Sequence, residues 1–125
     1  MLRTFGGIDL WQNILKTIYR YNEDGDEEEV VNTAEDYNTK QFHWEEKEAY
    51  CSFYVNKKEL TITNFDVGKE NIGKGLGETF LKKFIEEVER KFNREFYISV
   101  FGPTTHALPF WEKMKRKGIV DDIDA

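Results

Sequence analysis

The sequence predicts one mixed α/β domain, with a mostly antiparallel central sheet, a parallel strand pair and helices on both faces. Two alternating segments joined by a tight turn, at 49–55 and 59–67, are typical of an antiparallel hairpin. A strand, a helical stripe and a second strand then follow between 59 and 101, and such units are usually parallel and right-handed. A length of 125 residues favours a single core.

Charge and cysteine content narrow the class of protein. The formal net charge of −6 argues against nucleic acid as the main partner. Cys51 is the only cysteine, so we expect no internal disulfide, a reducing compartment and a buried strand thiol. No run approaches the ~18 apolar residues of a membrane span, and the first residues lack the apolar core of a signal peptide. We therefore expect a cytoplasmic protein without a membrane partner.

The N-terminal third is predicted to be mainly helical. A short strand at Leu2–Phe5 precedes a helix that Asp9 can cap. Apolar residues recur on this helix at three- and four-residue steps: Trp11, Ile14, Leu15, Ile18 and Tyr21. The acidic run at 22–29 is interpreted as a solvated loop or as the start of a second helix through 30–37. Alternatively, its carboxylates line the rim of a site and attract a cationic amine.

After residue 39 the pattern changes to strands. Phe42 and Trp44 alternate with polar residues, and 49–55 alternates strictly between two faces. The polar segment at 56–58 predicts a tight turn, so that 49–55 and 59–67 pair as an antiparallel hairpin.

The second strand of this hairpin contains a phase slip. Leu60 and Ile62 share one face, whereas Phe65 and Val67 are out of phase with them by one residue. An inserted residue near Thr63-Asn64 therefore predicts a β-bulge, a feature that bends strands and redirects backbone groups beside binding sites.

A long helix, a central strand and a final helix complete the predicted fold. The helix over 76–92 carries apolar residues at four-residue steps. The strand over 95–101 has bulky side chains on both faces, so we expect helices on either side of it. Thr104 or Thr105 can cap the last helix, in which Pro109 falls in the first turn.

The junction between the bulged strand and the long helix is rich in glycine. Gly73, Gly75 and Gly77 lack Cβ atoms, so their backbone can reach positive φ and approach a ligand closely. The first amides of the helix have no intrahelical partner and carry the positive end of the helix dipole, which favours a phosphate or pyrophosphate. Lys74 adds a mobile positive charge. The segment therefore predicts an anion site.

Three phosphate motifs compete for this loop. The dinucleotide fingerprint requires G-x-G-x-x-G, which the glycines here do not form. The nucleotide P-loop fits Gly68, Gly73 and Lys74, but Gly75 stands where a hydroxyl should bind Mg²⁺, so a nucleotide binder is a lesser alternative. The third motif, Arg/Gln-x-x-Gly-x-Gly/Ala, resembles 72–77 at every position except Ile72. It is the coenzyme A pyrophosphate motif of the GNAT superfamily of N-acetyltransferases.

A second motif, on the last helix, adds to this resemblance. GNAT proteins commonly read Asn-x-x-Ala-x-x-Phe-Tyr-x-Lys-x-Gly-Phe at this point. The corresponding residues here are Thr104, Ala107, Phe110, Trp111, Lys113 and, after an insertion, Gly118-Ile119. The matching elements extend from Tyr50 to Gly118, and the chain resembles a small, divergent member of the superfamily.

The resemblance implies an acetyl-CoA-dependent N-acetyltransferase, without a metal, whose parallel strands are splayed apart. The cofactor would lie between the bulged strand and 95–101, with its pyrophosphate on the amides of 73–78. The backbone N–H of Val67 would polarise the thioester carbonyl while a neutral amine of a small molecule or a protein attacks it. The residues implied to bind the cofactor are Phe65, Val67, Ile72, Gly73, Lys74, Gly75, Leu76, Gly77, Glu78, Thr104, Ala107, Phe110 and Trp111.

Candidates for proton transfer are few. Asp66 and His106 are the two catalytic candidates, and Glu59 and Glu70 are further carboxylates near the cleft. Each also has a structural interpretation: Asp66 as a turn acceptor, His106 as a residue of the first helical turn, Glu59 as a solvated strand end and Glu70 as part of a loop surface. His43 is expected to be structural, and two histidines with one cysteine do not make a metal site.

Three departures from the family pattern support another hypothesis. Ile72 replaces the basic or amide residue and loses its side-chain contact with the cofactor. Trp111 replaces a tyrosine that often protonates the leaving thiolate, and an indole N–H does not release a proton near neutral pH. The seven residues after Gly118 are too few for the final hairpin that helps to form the acceptor pocket, which a second chain of a homodimer could complete. The alternative to an enzyme is therefore a catalytically degenerate coenzyme-A-binding module that acts through a protein partner.

Overall fold

The computed structural model describes residues 18–21, 24–29, 41–46, 49–56, 58–68 and 75–124. Within these ranges the elements are β1 (Ile18–Tyr21), β2 (Glu27–Glu29), β3 (Gln41–Glu46), β4 (Ala49–Val55), β5 (Glu59–Asp66), α1 (Leu76–Phe92), β6 (Tyr97–Phe101), α2 (Leu108–Arg116) and β7 (Asp122–Asp124). The strands form one sheet of order β2-β1-β3-β4-β5-β6-β7. In this part of the chain no helix is long and apolar enough to cross a membrane.

The sheet is mixed, as the sequence predicts. Neighbouring strands from β2 to β5 are antiparallel, whereas β5, β6 and β7 run parallel to one another. The β4–β5 hairpin is confirmed: Asn56 Oδ1 accepts hydrogen bonds from the backbone N–H groups of Lys58 and Glu59, at 2.9 and 2.7 Å, and closes the turn. The prediction of a mixed α/β fold with a mostly antiparallel sheet is therefore confirmed for the described residues.

The N-terminal prediction is wrong where the structure describes it. Ile18–Tyr21 is a strand instead of the end of a helix, and Glu27–Glu29 is a strand instead of a loop or a helix start. Pairing with β3 places Ile18 opposite Trp44, where Ile18 is completely buried. Burial of this kind in a sheet outweighs a local helical pattern, which is a weak determinant by itself.

The connection between β1 and β2 contains Gly25, whose φ is 85°. Glycine reaches this left-handed region without the steric cost that other residues meet, and it thereby permits the chain to reverse into a hairpin. The predicted strand at 2–5 and the predicted helical residues at 9–17 and 30–37 lie outside the described residues.

The core lies between one face of the sheet and the two helices. The apolar stripe of α1 is confirmed, because its buried residues recur every three or four positions between Leu81 and Phe92. Phe84 meets Trp44 and Phe53 edge-on, with ring centroids 5.5 and 5.0 Å apart. The sheet and α1 are therefore held together by aromatic packing.

Both described helices cover the same face of the sheet. Phe65 pairs with Cys51, which places it on the core face, and its ring contacts Phe110 of α2. Successive right-handed crossovers from β5 to β6 to β7 move in one direction, so they leave α1 and α2 on one side. The expectation of helices on either side of β6 is not met among the described residues, since Tyr97 and Phe101 on the opposite face are 51% and 58% exposed.

Phe84→Ala should lower the free energy of unfolding by about 3–5 kcal/mol, because it removes a completely buried ring and leaves a cavity. Tyr97→Ala is the matched control: it removes a ring that is half-exposed, and we expect a loss of about 1 kcal/mol or less. Urea denaturation followed by circular dichroism measures both variants. Equal losses would contradict the packing of α1 on the sheet.

Candidate active site

The predicted β-bulge is confirmed and lies in β5. Ser52 of β4 pairs with Asn64, but the next residue, Phe53, pairs with Ile62, so Thr63 is the extra residue. The Thr63 hydroxyl donates a hydrogen bond to the Ser52 carbonyl oxygen at 3.1 Å. This bond connects the bulge to β4. After the bulge, the side chains of β5 point to the opposite face from the one that the alternation before it would give.

The parallel strands β5 and β6 stop pairing at the bulge. Their last pair joins Ile62 to Val100, although β5 continues as far as Asp66. A cavity of about 100 Å³ lies where the two strands separate. It is lined by 62–65 of β5, by 100–104 at the end of β6, and by Ala107 and Trp111 beside and within α2.

Three aromatic side chains form and support one wall of this cavity. Phe65 and Trp111 line it, and their rings meet edge-on with centroids 5.8 Å apart. The rings of Phe110 and Phe65 are stacked, with centroids 6.2 Å apart and an interplanar angle of 11°. The centroids of the Phe110 and Trp111 rings are 4.9 Å apart. Residues that the sequence assigns to cofactor binding, from two distant parts of the chain, are therefore brought together here.

The start of α1 lies beside this wall. Gly75 is the N-cap of α1 and has φ 77°, which confirms the predicted positive φ at this position. Gly77 is glycine for another reason: a Cβ there would lie 3.0 Å from Phe110 Cε1. Its missing side chain lets the Phe110 ring approach the first turn of α1. Residues 72–74 lie outside the described residues.

The N-terminus of α1 has no side-chain hydrogen bond at its cap residue. The N–H groups of its first turn, at Leu76, Gly77 and Glu78, have no partner within the helix and are therefore able to bind an anion. Together with the cavity, they define a site with one end on α1 and a second end between β5 and β6, where both polar and apolar residues line the cavity.

The side chain of Glu78 is held by two lysines. Its carboxylate accepts a hydrogen bond from Lys117 Nζ at 2.7 Å and lies 3.2 Å from Lys82 Nζ. Hydrogen bonding, first to Lys117 and then to Lys82, lowers the pKa of Glu78 from its ordinary value. Its negative charge beside the helix N-terminus is thus balanced by two cations, which keeps the surroundings suitable for an anion.

The two predicted catalytic residues occupy different positions. Asp66 is the last residue of β5, and its Oδ1 accepts the backbone N–H of Gly68 at 2.8 Å, as expected of a turn acceptor. His106 is exposed in the turn before α2 and is not part of the cavity lining. Glu59 begins β5 at the end away from the cavity, and Glu70 lies outside the described residues.

The segments on either side of the cavity are well anchored. The Thr104 hydroxyl accepts the backbone N–H of Ala107 at 3.2 Å, and the Thr104 carbonyl oxygen accepts those of Ala107 and Leu108 at 3.1 and 3.0 Å. These bonds form the turn before α2, but the N-cap of α2 is Ala107, so the prediction that Thr104 or Thr105 caps this helix is wrong. Pro109 lies in the first turn, as predicted. Val67 directly follows β5 and packs against the core.

A polar cluster on the opposite face of the sheet is not predicted by the sequence patterns. Tyr50 Oη lies 2.6 Å from His43 Nδ1, and Ser52 Oγ donates to Tyr50 Oη at 3.0 Å and lies 3.2 Å from the same nitrogen. Burial lowers the pKa of His43, although Glu45 opposes the shift. The alternating pattern of β3 and β4 could have predicted that these side chains share a face. It could not have predicted the register of the two strands, which pairs His43 with Ser52.

The acidic run lies far from the cavity. β1, β3 and β4 separate β2 from β5, so four strand spacings place Glu27–Glu29 roughly 19 Å from β5. These residues do not line the rim of the cavity.

Cys51 is completely buried, as predicted, and burial raises the pKa of its thiol well above the ordinary value. A neutral, inaccessible thiol does not act as a nucleophile. Among the described residues, no group of three His, Cys, Asp or Glu side chains could hold a metal ion.

Comparison with known proteins identifies no family: no family model matches the chain, and neither the curated proteins nor the solved structures contain a significant match.

Lys117→Ala should raise the pKa of Glu78 toward its ordinary value, because the hydrogen bond from Lys117 is the largest cause of the lowering. Lys113→Ala is the matched control, since this exposed lysine of α2 forms no ion pair with a described residue. Titration of the Glu78 carboxyl carbon by NMR measures both variants. The same shift in both, or none in Lys117→Ala, would contradict the contact.

Proposed function

We propose that this protein is an N-acyltransferase that moves the acetyl group of acetyl-CoA to an amine by direct attack. One observation carries the proposal: β5 and β6 stop pairing after Ile62 and Val100, and a cavity lies in the gap. Backbone groups of β5 that point toward β6 beyond this place have no partner on that strand. They can bind the amide groups of an extended, strand-like chain such as pantetheine.

The size of the cavity favours a thin ligand end. Its volume of about 100 Å³ is well below the ~300–1,000 Å³ of pockets that enclose a whole drug-sized ligand. A pantetheine arm with a small acyl group can enter it, whereas the nucleotide part of coenzyme A would remain outside. With the pantetheine arm inside the cavity and the nucleotide part outside, the anion site should lie next to the cavity instead of within it.

The start of α1 is the proposed diphosphate site. Gly75 turns the chain into the helix in a left-handed conformation and presents no side chain to the ligand. The N–H groups from Leu76 to Glu78 and the positive end of the helix dipole then favour the diphosphate. The resemblance of 72–77 to the GNAT pyrophosphate motif supports the same placement.

The reaction needs no covalent enzyme intermediate. The neutral amine nitrogen attacks the thioester carbonyl carbon and forms the C–N bond, and the C–S bond of the tetrahedral intermediate then breaks. One proton leaves the nitrogen and one is gained by the thiolate, so that the products are an amide and free coenzyme A. Holding the two reactants in contact supplies much of such a rate enhancement.

Asp66 is the proposed acceptor of the amine proton. It ends the strand whose preceding residues line the cavity, and its contact with Gly68 occupies only Oδ1. His106, in the turn before α2, is the second candidate, and like Asp66 it does not contribute to the cavity lining. The thiolate then takes its proton from solvent, since the indole N–H of Trp111 does not release its proton near neutral pH.

One observation favours a second function, a coenzyme-A-binding module without turnover. Trp111 is the only residue of α2 that lines the cavity, and its indole cannot act as an acid near neutral pH. Such a module would bind the cofactor in the same way and act through a protein partner. Binding of ATP in place of coenzyme A would instead favour the nucleotide binder.

Coenzyme A and acetyl-CoA should bind to the protein, ATP should not bind comparably, and Gly75→Asp should abolish the binding. The introduced carboxylate would repel the diphosphate, whereas the fold should persist because aspartate tolerates the left-handed region better than most residues. Gly25→Asp is the matched control: Gly25 also has positive φ, and a Cβ added there would meet no atom within 4 Å, but it lies at the far end of the sheet. Isothermal titration calorimetry measures the binding of coenzyme A, acetyl-CoA and ATP to the wild type and to both variants.

The titration separates the hypotheses. Coenzyme A that does not bind to the wild-type protein, or binds equally to Gly75→Asp, would refute the diphosphate site. Coenzyme A binding without loss of thioester, when acetyl-CoA is incubated with a panel of small amines and lysine peptides, would favour the module without turnover.

Asp66→Asn should lower kcat by about 100-fold or more without weakening acetyl-CoA binding, because it removes the proton acceptor. The asparagine Oδ1 can still accept the Gly68 N–H, so the turn should be retained. His106→Gln is the comparison variant, and we expect it to keep kcat within about threefold, as for a side chain outside the reaction. Equal kcat values for the wild type and Asp66→Asn would exclude Asp66 as the base.

A further inference from the structure

Trp111 carries a buried indole donor on the wall of the cavity. The residue is 4% exposed and lines the cavity. Its neighbours on this wall are the rings of Phe65 and Phe110. Among the described residues no hydrogen-bond acceptor is found for the indole Nε1–H. A buried donor without an acceptor is rare in proteins and costs stability, so each case calls for a physical reason.

Trp44 shows that this fold can satisfy a buried indole. Trp44 is 0% exposed, and its Nε1 donates a hydrogen bond to Glu87 Oε1 at 2.7 Å. A phenylalanine at position 111 would fill an aromatic wall without leaving a donor unpaired. Since the described residues supply no acceptor and Trp111 lines the cavity, a ligand in the cavity is the candidate source of one.

We propose that Trp111 Nε1–H donates a hydrogen bond to a carbonyl oxygen of the ligand chain that enters the cavity. The proposal rests on the proposed function, in which that chain is the pantetheine end of coenzyme A with its amide and thioester carbonyls. An indole N–H only donates, and it stays protonated at every ordinary pH. Trp111 therefore holds the acceptor-bearing chain in a fixed position, and its own protonation state does not change with pH.

The test follows the indole N–H directly. The chain has three tryptophans, so a ¹H–¹⁵N spectrum should contain three indole signals, which Trp111→Phe and Trp44→Phe assign. On addition of coenzyme A or of pantetheine alone, the Trp111 signal should move downfield and the Trp44 signal should not. Trp111→Phe should weaken coenzyme A binding roughly 3- to 10-fold, as expected for the loss of one neutral hydrogen bond. Trp44→Phe should not weaken it.

The possible outcomes distinguish this inference from the proposed function. Coenzyme A that binds to the wild type without moving the Trp111 signal, and binds equally to Trp111→Phe, would overturn the inference and leave the proposed function intact. Absence of coenzyme A binding to the wild type would overturn both, unless pantetheine alone moves the Trp111 signal; that result would support the inference and remove only the diphosphate site. Should Trp111→Phe not fold, Trp11→Phe and Trp44→Phe assign the Trp111 signal by elimination, and its response in the wild type decides.

Discussion

The insertion of one residue, Thr63, into β5 is the constraint on which the candidate site depends. A strand alternates its side chains with a period of two, so an extra residue inverts everything that follows. Phe65 thereby returns to the core face opposite Cys51, and the pairing of β5 with β6 ends at Ile62. The Thr63 hydroxyl satisfies the Ser52 carbonyl oxygen across the strands, which stabilises the bulge. The gap is thus a built feature of the sheet and not a frayed strand end.

Sequence patterns predicted the fold best where one period continued over many residues. The stripe of α1 and the alternation of β4 were long enough to be unambiguous, and the phase slip in β5 could be recognised because four apolar residues surround it. The four residues Ile18–Tyr21 are too few to separate a period of two from one of 3.6. Their state was decided by pairing with β3, a contact with residues more than twenty positions away, which local patterns do not contain.

The local geometry around the candidate site could be predicted only in part. The left-handed conformation of Gly75 followed from local chemistry, because only glycine adopts it readily. The reason for Gly77 did not, since it depends on a ring 33 positions further along the chain, at Phe110. Strand order also could not be predicted from the sequence. The acidic residues Glu27–Glu29 were therefore considered for the rim of the site, although three strands of the sheet lie between them and β5.

The two ends of the candidate site are mechanically one unit. Gly77 in the first turn of α1 allows the close approach of Phe110, Phe110 stacks on Phe65, and the bulge determines where Phe65 lies. A rigid core transmits displacements between packed neighbours instead of absorbing them. The distance between the helix N-terminus and the cavity is therefore determined by three contacts, and a ligand that occupies both must match that distance. Under the proposed function, this requirement would select ligands by the spacing between a diphosphate and a carbonyl-bearing chain end, which neither end of the site could do alone.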